Sequence, residues 1–384
     1  MRYAIRLALC VATTTCVLAG GDPASADTPA TSVYAWGTYT PKNMPAGDTP
    51  TAIAVPSGPV IQVATSNSAG YALTSSGHVY AWGDNNVGQL GNGATGTGSL
   101  SPERVHFPAH VTIAALAPDT SPFSSAIAID TTGHAWVWGD AGGSACQGSS
   151  TKRDYLTPVE VPLPNVTQVA GAFEHALYLS NSTLYACGPS EYGDLGDGST
   201  RTSDVPVKVP VPGNIEWIGA SWCDSAALTT SGYFDWGYNA DGQLGDGSTT
   251  FSDLPVEVKL PSTVQMAAIG GSVPNNGQTI VLLNNGQVMV WGNGAYGQLE
   301  NGGLDARTPI PFAVPGSPSV ISAGGDTFYL VIADDLYAIG GNNGGQVGTG
   351  TPSGAVTELR EIQSGVDSVA STALDAVSLA GGGG

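Results

Sequence analysis

The chain has 384 residues, only 11% of them charged, and its 31 acidic residues outweigh 11 basic ones for a formal charge of −20. A surface of that sign repels nucleic acid and anionic lipid, which sets both aside as partners. An apolar share of 41% still allows a folded core, and glycine (54) and proline (26) are abundant without marking a low-complexity chain.

Residues 1–26 read as a secretory signal: Arg2 and Arg6 make the basic start, LALCVATTTCVLAG is the apolar stretch, and Ala24-Ser25-Ala26 is a small-residue cleavage site. Cleavage near Ala26 predicts secretion of a protein that begins at Asp27, with residues 27–32 as a short arm. No later segment is apolar and long enough to cross a bilayer as a helix. Cys10 and Cys16 leave with the signal. Cys146, Cys187 and Cys223 are an odd number, far apart, and do not look like a disulfide framework. At most one pair can form, and whether Cys146 and Cys223 meet stays open. Cys187 reads as a small buried apolar residue.

From residue 32 onward one phrase recurs: an aromatic strand ending in Trp-Gly, a turn cluster, then Gly-Gln-Leu-Gly. SVYAWG (32–37) opens the series and VYAWGDNNVGQLGNG (79–93) states it in full. AWVWGD (135–140), LYACGPSEYGDLGDGST from Leu184, FDWGYNADGQLGDGST (234–249), VMVWGNGAYGQLENGG from Val288 and LYAIGGNNGGQVGTGT from Leu336 follow. The anchors Trp36, Trp82, Trp138, Cys187, Trp236, Trp291 and Ile339 stand about fifty residues apart, a period that marks a repeat array.

Each unit reads as four short strands, clearest in the fourth: VTQVA from Val166, HALYL from His175, LYAC from Leu184 and VPVKV from Val205. Tight turns such as Ser75-Ser76-Gly77, Thr131-Thr132-Gly133 and Asn284-Asn285-Gly286 join the second strand to the third. A sheet of this size cannot bury both faces alone, so units must stack. SVYAWG arrives without the two strands that precede its counterparts, and VDSVASTALDAVSLAGGGG supplies two such strands and stops. One sheet shared between the two ends would close a ring and remove the exposed edges of an open array. The fold class is therefore all-β: a seven-bladed β-propeller of four-stranded blades over residues 33–380, followed by a glycine tail at 381–384. Within it, each Trp would fill the space between sheets, and Leu90, Leu195, Leu244 and Leu299 would pack under the turns.

WGDNNVGQLGNG, WGYNADGQLGDGST and WGNGAYGQLENG resemble the repeats of the regulator of chromosome condensation family. The resemblance covers essentially residues 33–380. It is strong in repeats two, four, five, six and seven and weak in the first and third, where MPAG and GGSACQG replace the motif. It implies a seven-bladed propeller closed by both termini. The eponymous nuclear member exchanges guanine nucleotide on a small GTPase and binds chromatin, a role that export and acidity oppose here. A secreted bacterial branch that includes a β-lactamase-inhibitory protein is similar in architecture, although that inhibitor largely lacks the Gly-Gln-Leu-Gly loops.

No nucleophile elbow, zinc helix, phosphate-binding loop or paired C-x-x-C occurs, so no cofactor, metal or catalytic residue is assigned. His78 and His134 follow hairpin glycines and read as solvated turn residues. Pro108 opposes a helical metal pair between His106 and His110. His175 begins a second strand where other repeats hold Asp224 and Asp375, a position for bonding local backbone. Asp194, Asp197, Asp241 and Asp246 fit turns better than a calcium loop.

A sharper pattern lies in the loop before the second strand. Phe123, Phe173 and Trp222 occupy one structural position in three consecutive repeats, with Glu174 and Asp224 beside them. Aromatics flanked by acids on rigid loops make a candidate anchor for a protein partner; the alternative is that they fold inward as caps. The chain thus reads as a secreted, non-enzymatic, monomeric propeller that binds a protein through one face, with inhibition of an extracellular or periplasmic enzyme such as a β-lactamase as one form. A carbohydrate-binding module or polysaccharide-acting enzyme at the channel mouth is the alternative, and guanine-nucleotide exchange ranks behind it.

Overall fold

A computed structural model describes residues 32–37, 47–66, 69–117, 125–148, 154–172, 175–271, 276–372 and 375–381. Residues 1–31, where a signal is expected, and the last three glycines lie outside the described residues. The described strands pair into seven four-stranded antiparallel sheets, and a short 3-10 turn at Gly142–Ala145 lies between the third and fourth strands of one of them. We number the blades one to seven in the order of their Trp-Gly anchors.

In blade four the strands run outward as Val166–Gly171, Ala176–Ser180, Thr183–Gly188 and Ser203–Lys208, close to the expected spans. Second strands such as AGYALT, SAIAID and DAVSLA are buried at every residue, because each is covered by a blade on both faces. Outer strands are mostly half-buried or exposed and carry Pro50, Pro102, Pro158, Pro206, Pro255 and Pro309. Proline withholds a ladder donor, so these edges resist pairing with another chain.

The innermost strands close a ring. Val60–Ser66 touches Ile113–Ala117, and contact continues through Val166–Gly171, Ile215–Ala220, Val264–Gly270, Val320–Ala323 and Val366–Ser371 back to Val60–Ser66. Blade one is built from both ends of the chain, in the order Val366–Ser371, Asp375–Ala380, Ser32–Gly37 and Gly47–Ile53. Val33 opposes Leu379 and Gly37 opposes Asp375, so the terminal strands are laddered along their length.

The repeated phrase decodes as a clasp between neighbouring blades. Trp138, Trp236, Trp291 and Trp36 donate their indole N–H to the carbonyls of Gln89, Asp194, Gln243 and Gln346, the residue before the motif's Leu or Val in the preceding blade, at 2.8 to 3.0 Å. Gln346 to Trp36 is the closing step from blade seven to blade one. The same carbonyls accept a second donor from their own or the next blade: Tyr71 to Gln89, Tyr329 to Gln346 and Ser225 to Asp194. The motif's second glycine packs on the indole; a Cβ at Gly196 would lie 2.5 Å from Trp236 Nε1, and one at Gly245 would lie 2.8 Å from Trp291 Nε1. Asn85, Asn239 and Asn342 fix the loop by accepting from the amides of Leu90, Leu244 and Val347. Leu90, Leu195, Leu244 and Leu299 are buried beneath it, as expected.

Blade three's divergent GGSACQG keeps this geometry with different chemistry. The Ser144 carbonyl accepts from Tyr178, as the Gln carbonyls do from tyrosines elsewhere. Cys146, left-handed at φ 55°, takes the place of the indole-facing glycine, and Cys187 takes the place of Trp. They are bonded to each other, with Cα atoms 5.7 Å apart. One expectation is corrected and one open question answered here: Cys187 is buried but is half of a disulfide, and Cys146 pairs with it and not with Cys223. The physical reason is that the clasp brings this glycine position and this Trp position into contact at every full boundary, so two cysteines placed there must meet.

Trp236→Ala should cost about 3–5 kcal/mol in urea unfolding, because it opens a cavity and strips a donor from a buried carbonyl. Closing a loop of 41 residues constrains the unfolded chain by about 4 kcal/mol. Cys146→Ser with Cys187→Ser should therefore lower stability by an amount of that order. Cys146→Gly with Cys187→Trp should recover part of it; no recovery would show that the boundary has been repacked around the disulfide.

Candidate interaction face

Strands within a blade alternate in direction, so the loops after first and third strands emerge together on one face, and the hairpins and blade-to-blade connections emerge on the other. We call the first the loop face. Among the sequence-predicted residues, Phe123, Phe173 and Glu174 lie outside the described residues. Trp222 lies on the loop face, half-buried, in blade five. Asp224 does not face a partner: it is 2% exposed and accepts a hydrogen bond from the Ser221 hydroxyl, so it holds the base of Trp222's loop.

The structure gathers aromatics next to Trp222's loop that sequence reasoning missed. The Cys223 carbonyl accepts from the Tyr238 amide at 2.8 Å, which ties Trp222's loop to the turn after the blade-five Trp-Gly. Tyr238 meets Tyr192 of blade four edge to face at 4.7 Å between ring centres, and Tyr192 meets Phe251 at 6.4 Å. Phe251 is 49% exposed, and Leu254 beside it is 45% exposed. Gly193 explains the junction: a Cβ there would sit 2.4 Å from Asp253 Cα, so only glycine lets the blade-four loop lie against the outer strand of blade five. The available signal was position: Tyr192 directly precedes the Gly-Asp-Leu-Gly loop and Tyr238 directly follows Trp-Gly, on loops otherwise devoted to packing.

Acids surround this cluster. Glu191 is exposed, and Asp241 and Asp253 are half-buried. The Tyr192 and Tyr238 hydroxyls are held above the usual phenol range, first by partial desolvation and then by nearby acids, Glu191 for the one and Asp241 for the other.

Beneath the face lies a buried polar layer that bridges blades. His175 Nε2 is 2.9 Å from Ser225 Oγ, which donates in turn to the Asp194 carbonyl at 2.9 Å. The serine proton is thus committed to a carbonyl and the imidazole acts as donor, the reverse of a base activating a nucleophile. His175 therefore bonds across to blade five and not to local backbone. Burial pushes His175 down to about 3, and Asp194 and Asp224 up to about 7. Burial, then Asp224, holds Asp235 well above the carboxylate range, and burial raises Asp326, which accepts from Asn276 at 2.6 Å, to about 6. Asp197 and Asp246 accept from the Ser199 and Ser248 amides as turn residues.

These features define a ring-closed β-propeller with an aromatic, acid-rimmed sector on its loop face. Regulator of chromosome condensation (RCC1) repeats are found within it: that repeat family matches residues 76–117 and 234–273, and a second description of the repeat matches 60–89. The chain is similar to the ultraviolet-B receptor UVR8 of Arabidopsis thaliana, 32% identical over 177 residues, which is 44% of this chain and 39% of UVR8. It is also similar to the E3 ubiquitin-protein ligase HERC2 of Homo sapiens, 28% identical over 347 residues, 85% of this chain but 7% of HERC2. It therefore spans well under half the length of either relative. Among solved structures, Prp20p from Saccharomyces cerevisiae superposes with a TM-score of 0.79 at 19% identity over 92% of each chain. Human WBSCR16 gives 0.77 at 18% identity over 92% of this chain and 99% of that one. At those identities the likeness concerns the fold.

The buried acids set a pH dependence of stability. Their folded pKa values are raised, so the folded protein keeps protons that the unfolded chain has released, and stability falls as pH climbs from about 4 to about 7. His175 contributes the opposite slope, since the unfolded chain protonates first as pH falls below about 6.5. Four raised acids outweigh one histidine, so the melting temperature should be higher at pH 5 than at pH 8, and Asp224→Asn should flatten the profile. A melting temperature that climbs over this interval would show that these carboxyls are hydrated.

Proposed function

We propose that this protein is an exported, non-enzymatic binding propeller that docks another protein on the blade four to five sector of its loop face. The observation that carries the reading is the Tyr192–Tyr238–Phe251 cluster beside Trp222, held on loops that the inter-blade clasp fixes. Rigid aromatic anchors with a polar rim are what protein interfaces use for affinity. The relatives lend support: yeast RCC1 (Prp20) has been crystallised bound to Kap60, and Prp20p binds Gsp1p and histones. Export is supported by the signal-like residues 1–26 together with the Cys146–Cys187 disulfide, since such bonds persist in oxidising compartments. Inhibition of a secreted enzyme, a β-lactamase included, is one form the binding would take.

Affinity capture from the surrounding fluid tests this. The mature protein should retain a discrete partner, and Tyr238→Ala with Phe251→Ala should lose it while unfolding stays cooperative, at a cost of about 1–3 kcal/mol because Phe251 is exposed but Tyr238 is half-buried against Tyr192. Undiminished capture by the double variant moves the interface elsewhere; saturable turnover of a polysaccharide by the wild type would replace the binding reading with an enzymatic one.

A further inference from the structure

The aromatic cluster also specifies the chemistry of what it would hold. We infer that the blade four to five sector receives a lysine- or arginine-bearing segment of another protein, the cationic side chains seated on the rings of Tyr192, Tyr238 and Phe251 and paired with Glu191 and Asp253. The inference rests on the docking reading above and adds the sign and type of the partner.

Three observations point to a cation. The ring faces are electron-rich, and an ammonium or guanidinium over such a face is attracted by the ring quadrupole. Glu191 directly precedes Tyr192 in the chain and Asp253 packs on Gly193, which directly follows it, so two carboxylate-bearing residues adjoin the aromatics. The ion pairs formed among the described residues involve His134 with Asp130 and Glu160, Lys259 with Glu257 and Arg360 with Glu358; Glu191 and Asp253 take part in none of them. Among the described residues no basic side chain therefore neutralises them. Arg307, whose stem packs on Gly242, bounds the acidic field on the blade-six side. An acidic or purely apolar partner would bury these carboxylates without compensation, a costly arrangement. The formal charge of −20 adds long-range attraction for a basic partner but cannot by itself select this sector.

Selection is therefore what the experiment must separate from general attraction. The probe is a short fluorescent peptide alternating arginine and glycine, with its glutamate counterpart as control, titrated by anisotropy against the mature protein at physiological salt. Tyr238→Ala with Phe251→Ala, which leaves the charge unchanged, should weaken arginine-peptide binding about tenfold. Glu191→Gln with Asp253→Asn should do likewise. Glu358→Gln with Glu361→Gln on the exposed outer strand of blade seven removes the same charge elsewhere and should leave binding nearly unchanged. Equal losses from the blade-seven pair, or unchanged binding to the aromatic pair, would overturn the inference in favour of a diffuse field. So would comparable binding of the glutamate peptide. A partner captured through Phe251 that the arginine peptide fails to displace would overturn this inference while leaving the docking reading in place.

Discussion

One buried carbonyl at a blade boundary carries most of the burden of this architecture. Where the boundary is complete, it accepts an indole N–H from the next blade and a hydroxyl from a second strand, while a glycine beside it makes room for the ring. Three requirements are met together: a large apolar body fills the wedge between sheets, its one polar atom is satisfied, and a loop that would otherwise be free is pinned. Because the closing contact from Gln346 to Trp36 has the same form as those between consecutive repeats, the ring joins its ends with the interaction that joins its neighbours.

The boundary also shows how one contact can change chemistry without changing place. Glycine faces tryptophan at Gly91 and Trp138, at Gly196 and Trp236, at Gly245 and Trp291 and at Gly348 and Trp36. Cysteine faces cysteine at the boundary between blades three and four. Between blades six and seven the glycine position is Glu300, still left-handed at φ 51°, and the indole position is the buried Ile339. Among the described boundaries, a side chain at the first position is present only where the second has given up its large ring, which is what exclusion of volume in a close-packed interior demands.

This rigidity sets where function can reside. The clasp loops turn their packing residues inward, and what they turn outward is free to vary from blade to blade. Around blades four and five that outward set is aromatic and acidic. Directly below it, His175, Ser225 and Asp224 bridge or brace the blades as a buried polar layer, so burial consumes groups that in another setting would be reactive. A carboxyl kept protonated by its surroundings donates or accepts hydrogen bonds without the expense of an enclosed charge.

Much of the fold was legible from residues alone. A period of about fifty residues, strands with apolar alternation, turn glycines and complementary chain ends require stacking and closure, because no single four-stranded sheet can bury both its faces. The meaning of Trp-Gly and of the buried leucines followed from size and backbone freedom, properties that a residue carries wherever it stands. What only the tertiary structure decided are relations between residues far apart in the chain. Cys146 meets Cys187 because the glycine and tryptophan positions of adjoining blades coincide in space. Asp224 turns inward under Trp222 although the two are nearly adjacent in sequence. Tyr192, Tyr238 and Phe251 converge from two blades because Gly193 lets one loop lie on the next outer strand. Local chemistry dictates what each repeat can build, whereas which side chains share a surface depends on how neighbouring repeats are rotated and packed, and that is a property of the closed ring.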